Sequence, residues 1–235
     1  MSSDRPPLIA LIHGVSTAIE PASIAVRDEF PEARIWNVLD DRLIEEVNQR
    51  GGVTPLLLER MVRLIDHVLL EGADGVLITC SLYSFVAAAV SAERPVPILG
   101  ADSAAFHDVL AVAPRRVLLV ASVQAALVDS TARLSEVATE HHAEFELVPI
   151  YVEGALEAVD AGDTAAVAEL IATAVQSDLR DGDAVLLAQY SLAPASSEVS
   201  SILGTTVYSG PSRAARELRA AIERRDRRHH QFYAD

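Results

Sequence analysis

The segment GVLITCSLYSF, residues 75 to 85, carries Cys80, the only cysteine in the chain. Apolar and β-branched residues run up to it, and small and aromatic residues that suit the opening of a helix follow it. A thiol at the amino end of a helix meets unpaired backbone N–H groups and the positive end of the helix dipole, and both favour the thiolate, the reactive form. The same N–H groups could hold a substrate carboxylate. The alternative is an inert core thiol, since unpaired cysteine is among the most buried residue types. Around this point stand other side chains of the right chemistry. Ser81, Ser122 and Ser191 lie at or just past three apolar runs, as substrate-binding hydroxyls or as helix N-caps. His13 ends the first run, where it could bind an anion or act as an acid, or be a satisfied structural histidine. Tyr83 and Tyr190 flank two of the run ends, Tyr190 as a pocket wall and Tyr83 more naturally as helical core.

Other chemistries are narrowed by absence. All nineteen basic residues are arginine, and without a lysine amine neither a pyridoxal Schiff base nor a Walker phosphate loop can form. No GxGxxG, CxxC or HExxH pattern occurs, and the adjacent pairs His141-His142 and His229-His230 diverge on a helix, so no cofactor and no metal are expected. A single cysteine makes no intrachain disulfide. The start MSSDRPP is polar, and no apolar stretch reaches the roughly 18 residues of a membrane span, so a cytoplasmic protein is expected. A formal charge of −15 repels nucleic acid and anionic membranes. The exception is local: residues 213 to 235, RAARELRAAIERRDRRHHQFYAD, hold seven arginines. This reads as a solvated last helix, or as an anion or partner site.

The elements that must position these groups alternate. LIALIH (8–13), ARIWNVL (33–39), GVLITC (75–80), VPILG (96–100), RVLLVAS (116–122), FELVPIYV (145–152), AVLLAQ (184–189) and TTVYSG (205–210) read as strands. Helical patterns lie between them. The clearest, Pro55 to Leu70, repeats Leu58, Met61, Val62, Ile65 and Leu69 at three- and four-residue steps. Strand, helix, strand, helix predicts an α/β fold with parallel sheets covered on both faces, and ligands in such folds sit beyond the carboxyl ends of the strands.

The two halves also align with each other. DGVLITCSL (74–82) overlays DAVLLAQYSL (183–192), pairing Asp74 with Asp183 and Cys80 with Gln189. VPILGADSAA (96–105) overlays TVYSGPSRAA (206–215), and LIALIHGVS (8–16) overlays RVLLVASVQ (116–124). The chain reads as a duplicated α/β unit, divided into 1–105 plus 211–235 and 106–210. Gln189 is then either a substrate ligand or a packing replacement for a thiol.

The stretches LIHGVSTAIEP, WNVLDDRL, GADGVLITCSLYSF, PVPILGADSAA, VASVQAAL and LLAQYSLA together resemble the cofactor-independent aspartate/glutamate/hydantoin racemase superfamily over nearly the whole chain. The resemblance implies two pseudo-symmetric lobes, each a short, mostly parallel sheet flanked by helices, with a cleft between them for a small carboxylate. It also implies a pair of cysteines, one from each lobe, that remove and return a proton at the α-carbon. Here the second position is Gln189, and a carboxamide neither ionises nor delivers protons near neutrality.

Three functions follow from that departure. The first is a racemase or epimerase acting on an amino acid or related acid, with Cys80 catalytic on one face, an unidentified second proton carrier on the other, and His13, Ser81, Ser122, Gln189, Tyr190 and Ser191 binding substrate. The second is a lyase resembling the arylmalonate decarboxylases, which need only one protonating cysteine. Those keep it in the second half, so a product of reversed handedness is expected here. The third is a non-catalytic carboxylate-binding protein on the same scaffold. A homodimer is the expected assembly, by resemblance alone.

Overall fold

The computed structural model describes residues 5 to 232. The polar start at residues 1 to 4, residues 233 to 235 and the side chains of residues 229 to 232, among them His229 and His230, lie outside the described residues. The chain divides into two compact units, Met1–Ala101 with Pro211–Asp235, and Asp102–Gly210. In the first unit, strands β1 (Leu8–His13), β2 (Arg34–Leu39), β3 (Gly75–Ile78) and β4 (Ile98–Gly100) form one parallel sheet in the order β2-β1-β3-β4. In the second, β5 (Arg116–Ala121), β6 (Glu146–Tyr151), β7 (Ala184–Leu187) and β8 (Val207–Ser209) repeat that order as β6-β5-β7-β8, again all parallel.

Every segment expected to be a strand is one, because parallel strands buried on both faces leave near-continuous apolar runs in the sequence. β3, β5 and β7 are buried along their whole length, and β1 is buried after Leu8. β2 and β6, at the sheet edges, share one pattern of partial exposure. Pro149, which has no N–H for a ladder, is tolerated because β6 is such an edge. The strands are shorter than expected: β3 stops at Ile78 and β7 at Leu187, so Cys80 and Gln189 lie past the strand ends, in the turns that follow. The internal repeat extends to the pairing itself. Ile12 pairs with Ile78, and Val120 with Leu187. One segment differs from the ungapped overlay: Ile78 pairs with Gly100 and Leu187 with Ser209, so register equates Gly100 with Ser209 rather than with Gly210.

The helices are α1 (Ile19–Glu29), α2 (Arg42–Arg50), α3 (Pro55–Leu70), α4 (Ser84–Ser91), α5 (Ser103–Ala111), α6 (Gln124–Glu140), α7 (Ala155–Asp160), α8 (Thr164–Gln176), α9 (Ser196–Leu203) and α10 (Gly210–Phe232). α3 has the expected bounds, opening with Pro55 in its first turn, where the missing N–H costs nothing. Its buried stripe is Leu57, Met61, Ile65 and Val68, turned slightly from the expected one, so Leu58, Val62 and Leu69 sit at its margin. The last helix is more than a solvated one. Ala214, Ala215, Leu218 and Ile222 are buried on the first unit. A Cβ on Gly75 would come within 2.8 Å of the Ile222 methyl and 3.2 Å of a Leu218 methyl, so the absence of a side chain in β3 is what lets α10 lie close.

Candidate functional site

In the first unit the candidate residues collect at the carboxyl edge of the sheet. Cys80, extended and 8% exposed, precedes a single 3-10 turn, Ser81–Tyr83, that runs into α4. Its sulfur lies against Gly14, the residue after β1: a Cβ built there would stand 3.1 Å from Sγ and 3.3 Å from Ile44. Ser81 is half-buried in the turn. α4 is held in turn by β4, since a Cβ on Gly100 would fall 2.6 Å from the Ser84 carbonyl oxygen and 3.0 Å from its Cα. Glycine at 100 therefore sets how closely the start of α4, and the turn carrying Cys80, approaches the sheet.

His13 is fully buried. Its Nδ1 is 2.8 Å from Thr79 Oγ1 and its Nε2 is 2.9 Å from Asn37 Oδ1, which also accepts from Ser23 at 3.2 Å. Burial lowers the His13 pKa, opposed in part by the bond to Asn37. A neutral ring fits the partners: Nε2–H donates to Asn37 and Nδ1 accepts the Thr79 hydroxyl. Protonation of Nδ1 would turn that hydroxyl toward the Ile12 carbonyl, 3.2 Å away. Both ring nitrogens are thus occupied within the unit, one of them by the residue before Cys80. The geometry is that of a ring that positions, with no edge turned to solvent.

Tyr83 is buried without a hydrogen-bond partner for its hydroxyl among the described residues. Burial, then the neighbouring Cys80 charge, push its pKa up to about 12, with Asp40 and Glu46 adding and Arg60 opposing. Those three form a network of their own. Arg60 grips Asp40 with Nε and Nη2, at 2.6 and 2.7 Å, and reaches Glu46 at 2.8 Å. Asp40 follows β2 at the same sheet edge.

In the second unit, Ser122, Gln189, Tyr190 and Ser191 also sit past strand ends. The Ser122 N–H donates to Gln189 Oε1 at 2.7 Å, and its hydroxyl does so at 3.2 Å. By strand register Ser122 stands where Gly14 stands, and Gln189 where Cys80 stands. Tyr190 is buried, its hydroxyl has no partner among the described residues, and burial with the nearby Asp102 charge raises its pKa well above the ordinary value. Asp102 is itself buried and paired with Arg133, which also holds Asp129 at 2.8 Å. Burial raises the Asp102 pKa against the pull of Arg133. Sequence reasoning missed Gly14, Thr79, Asn37, Asp102 and Arg133. Gly14, Thr79 and Asp102 lie within the overlaid segments, but nothing in the overlay singled them out. Among the described residues no group of three His, Cys, Asp or Glu side chains could hold a metal ion, and no helix is long and apolar enough to cross a membrane.

Comparison with known proteins decides the family. The family model described as Asp/Glu/Hydantoin racemase matches residues 25–218. The chain belongs to the Asp/Glu/hydantoin racemase family. Solved structures of similar fold include glutamate racemase from Thermus thermophilus, 15% identical, covering 94% of this chain and 82% of that one with a TM-score of 0.71. Allantoin racemase from Klebsiella pneumoniae is 19% identical, with 92% and 88% covered and a TM-score of 0.65. A glycine-to-cysteine mutant of arylmalonate decarboxylase is 24% identical, with 90% and 93% covered and a TM-score of 0.60. No curated protein sequence gives a significant match. At these identities the likeness is one of fold, so the reaction of this family member must be argued from its own residues.

Proposed function

We propose that the protein transfers a proton at the α-carbon of a small amino acid or related carboxylate, an isomerase-type reaction in which Cys80 is the one thiol and no cofactor takes part. The observation that supports this reading is positional. Cys80 and Gln189 occupy the same place in two copies of one four-strand plan, and the first of them carries an ionisable group. In the second unit the N–H at that place is a donor aimed at the side chain opposite. The matching residue in the first unit is Gly14, which lies beside the sulfur. In the forward step the Cys80 thiolate takes the α-proton, the electron pair of the C–H bond passes into an enediolate, and a proton from solvent water added to the opposite face of that carbon completes the inversion, the thiol then losing its proton to solvent. Fixed donors spread its charge, each good one worth roughly 3 kcal/mol. Ser81, half-buried in the turn that follows Cys80, supplies a hydroxyl to the bound acid. His13 acts through Thr79 on the shape of the Cys80 turn.

One observation favours a second reading, decarboxylation. Gln189 cannot exchange protons, and the Tyr190 phenol, held far above its ordinary pKa, keeps its proton near neutrality. The second unit thus provides no base where two-thiol racemisation would need one. Loss of CO₂ leaves its bonding pair in the same enediolate and calls for a single protonation, which Cys80 alone can perform. The structural neighbours include an arylmalonate decarboxylase double mutant combining glycine-to-cysteine with cysteine-to-serine, solved in a liganded form. The deciding experiment incubates the protein in D₂O with amino acids, 2-hydroxy acids, hydantoins and substituted malonates, followed by NMR. Exchange of the α-proton with loss of optical activity supports the isomerase, and CO₂ release supports the lyase. Carboxylate binding without either would leave a binding protein and sink both.

A further inference from the structure

A cavity of about 650 Å³ lies at the amino-terminal edge of the first unit's sheet, between the segment 94–99 that leads into β4 and the exposed side of α10. Cys80 is at the other end of these parallel strands. Arg94, Arg224, Arg225 and Arg228 line the cavity, with no acidic side chain among the described residues of its walls. The last three, with Ala221, fall at the three- and four-residue steps that make one face of α10. Two of these charges are balanced locally. Arg94 meets Asp66 at 2.7 Å, and Arg225 meets Asp226 at 2.8 Å while also donating to the Asp74 carbonyl. Among the described residues no carboxylate pairs with Arg224 or Arg228. The remaining wall is largely apolar, from Pro95 to Leu99 and Ala221.

We propose that this cavity binds a small phosphate-bearing molecule, its phosphate held by Arg224 and Arg228 and its body packed on the Pro95–Leu99 wall. The charge argument is specific. In a protein of formal charge −15, two uncompensated guanidinium groups in one concavity balance a ligand carrying about two negative charges, which a phosphomonoester does near neutral pH. Guanidinium forks match phosphate oxygens in pairs, and the volume is that of ordinary small-molecule sites. An inorganic anion would use the arginines and leave the apolar wall uncovered, whereas a nucleoside monophosphate covers both. Ser91, the last residue of α4, also lines the cavity and donates to the Ile98 carbonyl at 2.9 Å, so an occupant touches the far end of the helix that follows Cys80.

The test titrates the full chain with AMP and, separately, with inorganic pyrophosphate at constant ionic strength, by calorimetry and by thermal shift. AMP is expected to bind more tightly than pyrophosphate. The doubly substituted R224A/R228A protein should bind AMP ~10-fold or more weakly with an unchanged circular dichroism spectrum. R227A, whose arginine pairs with Glu223 instead of lining the cavity, should bind as the parent does. No binding of either probe, equal binding by R224A/R228A, or a loss in R227A as large as in the double variant would overturn the proposal. Pyrophosphate binding as tightly as AMP would overturn the role given to the apolar wall.

Discussion

At the scale of single residues, the sulfur of Cys80 owes its setting to a neighbour with no side chain. Gly14→Ala would place a methyl group 3.1 Å from Sγ and 3.3 Å from Ile44, tighter than ordinary packing allows. The expected result is a fold retained at a cost of about 1–2 kcal/mol with slower alkylation of Cys80 by iodoacetamide. Unchanged alkylation would mean that the glycine does not shape the thiol's surroundings. His13 offers a pH test whose sign follows from burial. Its folded pKa lies below the ordinary 6.5, so between those values the unfolded chain binds more protons. Its contribution to stability is complete above pH 6.5 and is lost as the pH falls through the folded value. Urea unfolding from pH 8 to pH 5 should show stability falling with acid, and His13→Gln should flatten that slope. On the second unit, Gln189→Ala would leave the Ser122 N–H without its 2.7 Å acceptor, at an expected cost of about 1–3 kcal/mol in chemical denaturation.

At the scale of elements, the site depends on how β4 carries α4. Gly100→Ala sets a methyl group against the Ser84 main chain, which cannot rotate away as a side chain can. The expected loss is about 3 kcal/mol, and exchange at the α-carbon should fall further than stability explains, because the moved helix begins just past Cys80. Thermal unfolding and activity of the one variant check both parts. Strands and their order of appearance were legible in the sequence because each buried parallel strand is an apolar run bounded by polar turns. So was the placing of Cys80 at the carboxyl end of that strand, although the strand itself stops two residues earlier, at Ile78. The partners of His13 were not legible: Thr79 and Asn37 reach it only through register, and no local pattern announces a hydrogen bond across 66 residues. The register of β4 and β8 was missed by one residue, since strands of three residues carry too little pattern to fix it. For His13 the sequence left a satisfied structural histidine beside an anion-binding one, and the pairing with Thr79 and Asn37 is that of the former.

At the scale of the whole molecule, the chain builds one four-strand plan twice and then returns to the first unit with α10. That return is structural as well as basic. Deleting residues 211–235 would strip Ala214, Ala215, Leu218 and Ile222 from the first unit. The two large side chains alone bring about 1.5–3 kcal/mol each, against a typical domain stability of about 5–15 kcal/mol. Amides of β1 and β3 should lose most of their protection from hydrogen exchange. Those of β5 and β7, whose cores are built from the second unit's own residues, should keep it. Full protection in both would show α10 to be dispensable. The repeat also makes the difference between the units plain: at two equivalent positions stand an ionisable thiol and an amide that accepts from Ser122.

The most direct measurement compares the parent protein with Cys80→Ala and Cys80→Ser in D₂O, using whichever acid the parent labels or decarboxylates. Both variants should fold as the parent does and lose about 10²-fold or more of the rate. A Cys80→Ala protein that turns over at the parent's rate would contradict the account.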